Sequence, residues 1–246
     1  MESEEPCRFL AWDSEFFGRR IARVTVPHVD EDLVKRILDW GRTHDIECLY
    51  FLAQGDAATV RAIETHGFHL VDVRVTLEQL IGTLSDPPTN FVRPVCAADI
   101  NALRAIARVS HRDSRFYHDD EFPRGRCDAL YETWIENSCR GWADAVLVAE
   151  CDDHPAGYVS CHRRLPDLGQ IGLFAVAETF RGRGVGRALV RAALHWFAGA
   201  GLRTVTVVTQ GRNADAQRLY QRCGFFTRSV ELWYHRWSPG ARTNRT

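Results

Sequence analysis

Arg181-Gly182-Arg183-Gly184-Val185-Gly186 separates a run of apolar, strand-like residues, Gln170 to Val176, from an amphipathic stretch whose helix opens at about Val185. A glycine-rich turn that leads into a helix presents several backbone N–H groups with no intrahelical acceptor, at the positive end of the helix dipole. Such a turn accommodates a phosphate or a diphosphate. Gly184 and Gly186 are expected to supply backbone angles closed to other residues and to let a ligand reach the main chain. Taken alone, the six residues also fit an ordinary glycine turn. A Walker A loop would end in Gly-Lys-Ser/Thr, whereas Gly186 is followed by Arg187 and Ala188. A dinucleotide fold would place an acid about 20 residues further on, where this chain has Thr204-Val205-Thr206-Val207.

A second unit follows: a strand from Thr204 to Val208, a short helix from Asn213 to Arg222, Gly224-Phe225, and a strand to about Trp237. With these in place the chain resembles the GNAT N-acetyltransferase superfamily. The loop fits that superfamily's acetyl-CoA motif, Gln/Arg-x-x-Gly-x-Gly/Ala, at every fixed position, and Asn213 through Tyr220 to Gly224-Phe225 resembles its second signature. The resemblance implies an α/β (α+β) acyltransferase fold, acetyl-CoA as co-substrate and no metal. It further implies that the strand Gly172 to Ala177, with Leu173, Phe174, Ala175 and Val176, pairs with the pantetheine arm and polarises the thioester carbonyl. Arg181, Gly182, Arg183, Gly184, Val185, Gly186 and Arg187 would hold the diphosphate. Asn213 would cap the last helix or reach the arm, and Tyr220 would protonate the departing sulfur. The chemistry agrees, since a phenol with pKa ~10 keeps its proton at neutral pH. Packing behind Gly224-Phe225 is the competing role for Tyr220.

The 246 residues allow one large domain or two small ones. With 31 Lys+Arg against 32 Asp+Glu the net charge is −1, so no global field draws the chain to nucleic acid or acidic membrane. The acidic start, Met1-Glu-Ser-Glu-Glu-Pro6, lacks a signal-peptide pattern, and the eight cysteines show neither Cys-x-x-Cys pairs nor metal-type grouping with histidine. A cytoplasmic protein with reduced thiols is expected.

Residues 1–84 are expected to form a small α/β domain. Arg20 to Val26 reads as a strand, Asp30 to His44 as a helix, Ile46 to Leu52 as a buried strand, Ala57 to His66 as a helix and His69 to Leu77 as a strand. Helix, Gly-Phe, then a long strand occurs at Ile63–Leu80 and again at Leu219–Trp237, which suggests that the first domain is a partial copy of the catalytic one. Ile81 to Asn90 has linker composition. The catalytic domain is expected over 91–240, with a strand at Phe91 to Val95, helices at Ala97 to Arg108 and Cys127 to Cys139, and an antiparallel pair at Ala145 to Glu150 and Gly157 to His162.

Outside these motifs, Leu10-Ala-Trp12-Asp13-Ser-Glu-Phe16-Phe17-Gly18, Ser114-Arg115-Phe116 and Trp134-Ile135-Glu136-Asn137 resemble the dTDP-4-amino-4,6-dideoxygalactose (dTDP-fucosamine) acetyltransferases over most of the chain. That resemblance implies a nucleotide-linked amino sugar as acceptor. Arg115, beside Phe116, is the first choice for an acceptor contact, because a guanidinium suits a diphosphate. Trp12, Phe16 and Phe17 also fit plain packing. No carboxylate stands on the strand before the glycine loop until Glu178, so a water chain to a more distant acid is expected to serve as base, with Asp72 the candidate and Glu136 and His111 its rivals. Other acceptors (an antibiotic, a polyamine, a protein amine) and a non-catalytic CoA-binding regulator stay open, and a homodimer is compatible with the chain.

Overall fold

The computed structural model describes residues 5–82 and 91–240. The expected linker at Ile81 to Asn90 therefore lies, from residue 83 on, outside the described residues, as do the first four residues of the acidic start. In chain order the elements are β1 (Cys7–Phe9), α1 (Ala11–Phe17), β2 (Ile21–Val24), α2 (Glu31–Thr43), β3 (Cys48–Ala53), α3 (Ala57–Thr65) and β4 (His69–Leu80). They continue with β5 (Val92–Pro94), α4 (Ile100–Ser110), α5 (Arg124–Asn137), β6 (Ala145–Cys151), β7 (His154–Leu165), β8 (Leu168–Val176), α6 (Val185–Gly199), β9 (Thr204–Gln210), α7 (Ala214–Arg222) and β10 (Phe226–Trp237). The chain divides into two compact units, one from the described parts of Met1–Arg74, Ser114–Arg126 and Val230–Thr246, the other from those of Val75–Asp113 and Cys127–Ser229.

The first unit has strand order β1-β2-β3-β10-β4. β2 runs parallel to β3, and β10 runs antiparallel to β3 from Leu232 opposite Ala53 to Trp237 opposite Cys48. Alternation along the strands sends Ala22, Val24, Leu49, Phe51, Ala53 and Tyr234 to one face, where they pack with Val34 and Ile37 of α2 and Ala62 and Ile63 of α3. Both helices begin where an aspartate satisfies an orphan amide: Asp30 accepts from Leu33 N–H at 2.8 Å and Asp56 from Thr59 N–H at 2.9 Å. The other face carries an aromatic cluster in which Phe17 lies 5.4 Å from Phe116 and 4.6 Å from Phe122. Beneath it Asp119 accepts from His235 Nδ1 at 2.6 Å and from Trp237 Nε1 at 2.9 Å. Burial holds the His235 ring neutral, at about 4, against the pull of that carboxylate.

The second unit has strand order β4-β9-β8-β7-β6-β5, antiparallel from β5 to β8 and parallel between β8 and β9. Helix α6 packs on β5 to β8 and buries eight residues, among them Leu189, Leu194 and Phe197. Each large one of these contributes roughly 1.5–3 kcal/mol. Its seat is cut by two glycines: a Cβ on Gly169 would stand 2.5 Å from the Phe197 ring, and one on Gly157 would stand 2.6 Å from the Ala175 carbonyl oxygen. Helix α4 packs on β7 and β8.

Both units contain one supersecondary piece in the same geometry. Gly67 (φ 79°) and Gly224 (φ 94°) end α3 and α7 in the left-handed conformation. In each, the following phenylalanine donates its N–H back to the helix, Phe68 to Ile63 O at 3.2 Å and Phe225 to Tyr220 O at 3.0 Å, and is buried.

Arg93 of β5 clamps Asp99 at 2.7 and 3.0 Å and also binds Glu150 of β6, tying the start of α4 to the sheet. The Arg93 hydrogen bonds hold the Asp99 carboxyl down at about 2. A carboxyl depressed on folding stabilises fully above its unfolded value, about 4, and that stabilisation is lost as pH falls toward 2. Thermal melts between pH 5 and 2 are therefore expected to fall less steeply for Asp99→Asn than for the parent. Equal slopes would show that this clamp contributes nothing to acid sensitivity.

Candidate active site

Strand β8 changes partners along its length. Its ladder with β9 ends at Ile171 opposite Val207, while its ladder with β7 runs on to Val176 opposite Gly157. From Gly172 to Val176 the edge of β8 on the β9 side is therefore open to an extended ligand, the arrangement by which a strand edge binds a chain lying along it. Leu173, Phe174, Ala175 and Val176 all lie in this stretch.

The glycine loop follows. Arg181, Gly182, Arg183 and Gly184 are exposed, Gly182 (φ 75°) and Gly184 (φ 83°) are left-handed, and no atom lies within 4 Å of where a Cβ would stand on either. Gly184 is the N-cap of α6, with no side-chain cap. The first helical hydrogen bond runs from Ala188 N to Gly184 O, so the amides of Val185, Gly186 and Arg187 stand outside the helical ladder. These amides, the space above the glycines and the open β8 edge fit the diphosphate and arm of acetyl-CoA. Gly186 differs from the expectation. Its φ is not positive, and it lacks a side chain because one would meet Leu219 Cδ2 at 3.2 Å and Phe174 Cζ at 3.5 Å.

That contact brings β8, α6 and α7 together at Tyr220. The Tyr220 ring is buried, 5.9 Å from Phe174 and 5.7 Å from Phe225. Burial, and to a lesser degree Cys223, pushes its phenol well above the ordinary value. It is held protonated throughout the neutral range, as a proton donor must be. Asn213 caps α7, accepting from Ala216 N–H at 3.0 Å.

Sequence reasoning missed a chain of polar groups at this point. The β7–β8 register shifts between Val159 and Cys161. There Ser160 Oγ accepts from Leu173 N–H at 2.7 Å and lies 3.2 Å from His162 Nε2. A Cβ on Gly172 would stand 2.5 Å from His162 Nε2 and 2.6 Å from Ser160 Oγ, so glycine is required at this bulge. Burial, then Arg164, lowers the His162 pKa, against Asp144 and a backbone hydrogen bond at Trp142. The ring is neutral near pH 7 and able to take a proton. Only a cross-strand register brings Ser160, His162 and Gly172 together, though Ser160-x-His162 on a predicted strand was a readable trace of it.

The remaining expected residues have the following surroundings. Asp72 is buried on β4 in the first unit, where Arg115 and the buried Phe116 also lie. His111 pairs with Tyr158 Oη at 2.9 Å, stacks on Tyr131 at 4.4 Å and is pushed down to about 4 by burial. Glu136 accepts from Arg140 at 2.8 Å and pairs with Arg104 at 3.4 Å. Trp12 stacks on Phe16 at 5.1 Å. Among the described residues no group of histidine, cysteine, aspartate and glutamate forms a metal site, and no helix is long and apolar enough to cross a membrane.

A model of the acetyltransferase (GNAT) family matches residues 106–225. The dTDP-fucosamine acetyltransferase of Escherichia coli O6:H1 is 30% identical over 237 residues, which cover 92% of this chain and 96% of that one. The chain belongs to the GNAT acetyltransferase family. Like the acetyltransferases that share its sequence, this GNAT protein is an N-acetyltransferase. Other relatives match over less of their length. The spore coat polysaccharide biosynthesis protein SpsD of Bacillus subtilis is 30% identical, over 63% of this chain and 53% of its own. A mycothiol acetyltransferase of Rhodococcus opacus is 35% identical, over 58% and 54%. The chain thus spans about half the length of these two. Among solved structures, a protein of Staphylococcus epidermidis with 17% identity superposes with a TM-score of 0.67, over 97% of this chain and 94% of that one. The GNAT family generally draws its acetyl group from acetyl-CoA.

Proposed function

We propose that this GNAT protein moves the acetyl group of acetyl-CoA onto the amine of a nucleotide-linked amino sugar resembling dTDP-4-amino-4,6-dideoxygalactose, by direct attack in a ternary complex, in the cytoplasm. The observation that carries the acyl transfer is the open edge of β8 leading into the uncapped glycine start of α6. The sugar acceptor is supported by the dTDP-fucosamine acetyltransferase, whose likeness runs through the first unit as well as the second.

When bound, acetyl-CoA supplies an activated acyl carbonyl, and the chain's own residues supply the rest. Leu173 to Val176 align the arm, and the amides after Gly184, flanked by Arg181, Arg183 and Arg187, hold the diphosphate. Holding both substrates in attack geometry removes roughly 7–11 kcal/mol of barrier. Tyr220 returns a proton to the leaving sulfur, and Arg115 with Phe116 serves the acceptor.

For the base, Asp72 remains a candidate, and His162 is a second, favoured by its neutral ring one hydroxyl away from the Leu173 amide. His162→Gln is expected to lower kcat by about 10²–10⁴ and to remove an acid-side limb of the pH profile that lies below the ordinary imidazole value. An unaltered profile assigns the base elsewhere, and the same measurement on Asp72→Asn then decides for or against that residue.

Release of free thiol, followed with a dTDP-linked 4-amino sugar beside an antibiotic amine, a polyamine and a peptide amine, tests the acceptor. Turnover at least tenfold faster with the nucleotide sugar is expected. A faster rate with any other amine overturns the assignment.

A further inference from the structure

The first unit carries a concentration of arginines on the sheet face opposite α2 and α3. In register, Arg8 of β1 stands opposite Arg23 of β2, and Arg23 stands beside Tyr50 of β3. Like charges placed directly across a sheet destabilise it. Trp233 of β10 lies on the same face, with two guanidinium groups over its ring: Arg115 at 4.2 Å and Arg23 at 5.1 Å. Arg115 is further enclosed by the rings of Tyr50 at 4.5 Å and Phe116 at 4.4 Å.

This packing leaves donors unanswered. Arg115 Nε and Tyr50 Oη are buried without a hydrogen-bond partner among the described residues, and Tyr50 is 1% exposed. A buried donor left unmade forfeits the hydration it had in water and gains nothing in return. Arg23 feels burial first, then Arg115, Arg74 and Arg8, all of which disfavour its charge. The carboxylates that meet this face offset the charges in part. Glu231 is engaged by Arg74 at 3.3 Å, Asp13 lies within reach of Arg115's field, and Asp72 stands two residues before Arg74 on β4. Stacking on aromatic rings accounts for where the guanidinium groups lie, and it leaves their hydrogen-bonding edges to a planar or tetrahedral anion.

We infer that Arg23 and Arg115, astride Trp233 and backed by Arg8, form the binding site for the diphosphate of a nucleoside diphosphate. The inference deepens the nucleotide-sugar reading and rests on it. Free dTDP is the probe, titrated calorimetrically into the full chain, with CoA titrated separately as a control on folding. Arg115→Gln and Arg23→Gln are each expected to weaken dTDP binding at least tenfold and to leave CoA binding unchanged, since each removes a charge-assisted hydrogen bond to the diphosphate. Arg23→Lys keeps the charge and loses the fork, so it should fall between parent and Arg23→Gln. In turnover the two glutamine variants should raise KM for the nucleotide sugar and leave KM for acetyl-CoA unchanged.

Equal dTDP affinity in parent and both glutamine variants overturns the site and leaves the nucleotide-sugar reading standing. So does absence of dTDP binding in a parent that still acetylates the nucleotide sugar. If the parent neither binds dTDP nor acetylates the nucleotide sugar, the reading fails and the inference fails with it.

Discussion

Tyr220→Phe is expected to lower kcat by about 10²–10⁴ while leaving KM for both substrates unchanged. The substitution removes one hydroxyl and keeps the ring that packs 5.9 Å from Phe174 and 5.7 Å from Phe225, so folding should be unaffected. An interaction made only when the sulfur leaves lowers kcat and kcat/KM together. Because burial raises the phenol above its ordinary value, ionisation of Tyr220 should cost the parent no activity below pH about 10. Steady-state kinetics with a CoA-binding isotherm provide the check. Unchanged turnover with unchanged CoA affinity would remove Tyr220 from the chemistry. A parent that binds CoA but acetylates none of the amines offered would return the non-catalytic regulator to consideration.

The second large effect concerns Gly184. Its φ of 83° is one that aspartate tolerates better than most side chains, and open space surrounds the position a Cβ would take. Gly184→Asp should therefore fold, yet it sets a carboxylate at the amides that would receive the diphosphate. Two like charges about 4 Å apart repel by about 4 kcal/mol at a dielectric near 20, and solvent reduces this. A rise of about 100-fold in the dissociation constant for CoA is the expected result, read by calorimetry, with kcat at saturation much less affected. Gly184→Ala separates charge from backbone and should cost far less affinity. Equal affinity in parent and Gly184→Asp would show that the loop does not hold the cofactor.

What could be read in advance follows the range of the interactions. The loop and the start of α6 depend on the backbone habits of neighbouring residues, and Arg181 to Gly186 displayed them openly. Gly186 shows the limit of that reasoning: the residue suggested conformational freedom, whereas its function is clearance for Leu219, a residue 33 positions away that no local pattern connects to it. Helix α1 was overlooked because it is only seven residues long, and Leu10 at its N-cap makes no capping hydrogen bond. The His162, Ser160 and Leu173 chain needs a bulge between two strands, and a shift of one residue in the pairing of β7 with β8 would part Ser160 and His162 together from the Leu173 amide. The assembly of Ser114–Arg126 with the first unit was equally unreadable. It is enforced by Phe116, Phe122 and Asp119 meeting Phe17, Tyr50 and His235, residues drawn from the whole length of the chain.

In the first unit β10 lies between β3 and β4, and its residues from Val230 on are the last of that unit's sheet to be synthesised. On the ribosome, β3 and β4 must wait with their inner edges unmet until Trp237 has emerged. Such an intermediate exposes strand edges and is prone to pair with a neighbouring chain. Fragments ending before Val230 should for this reason accumulate as aggregates, and expression of the first unit by itself will depend on supplying that last strand.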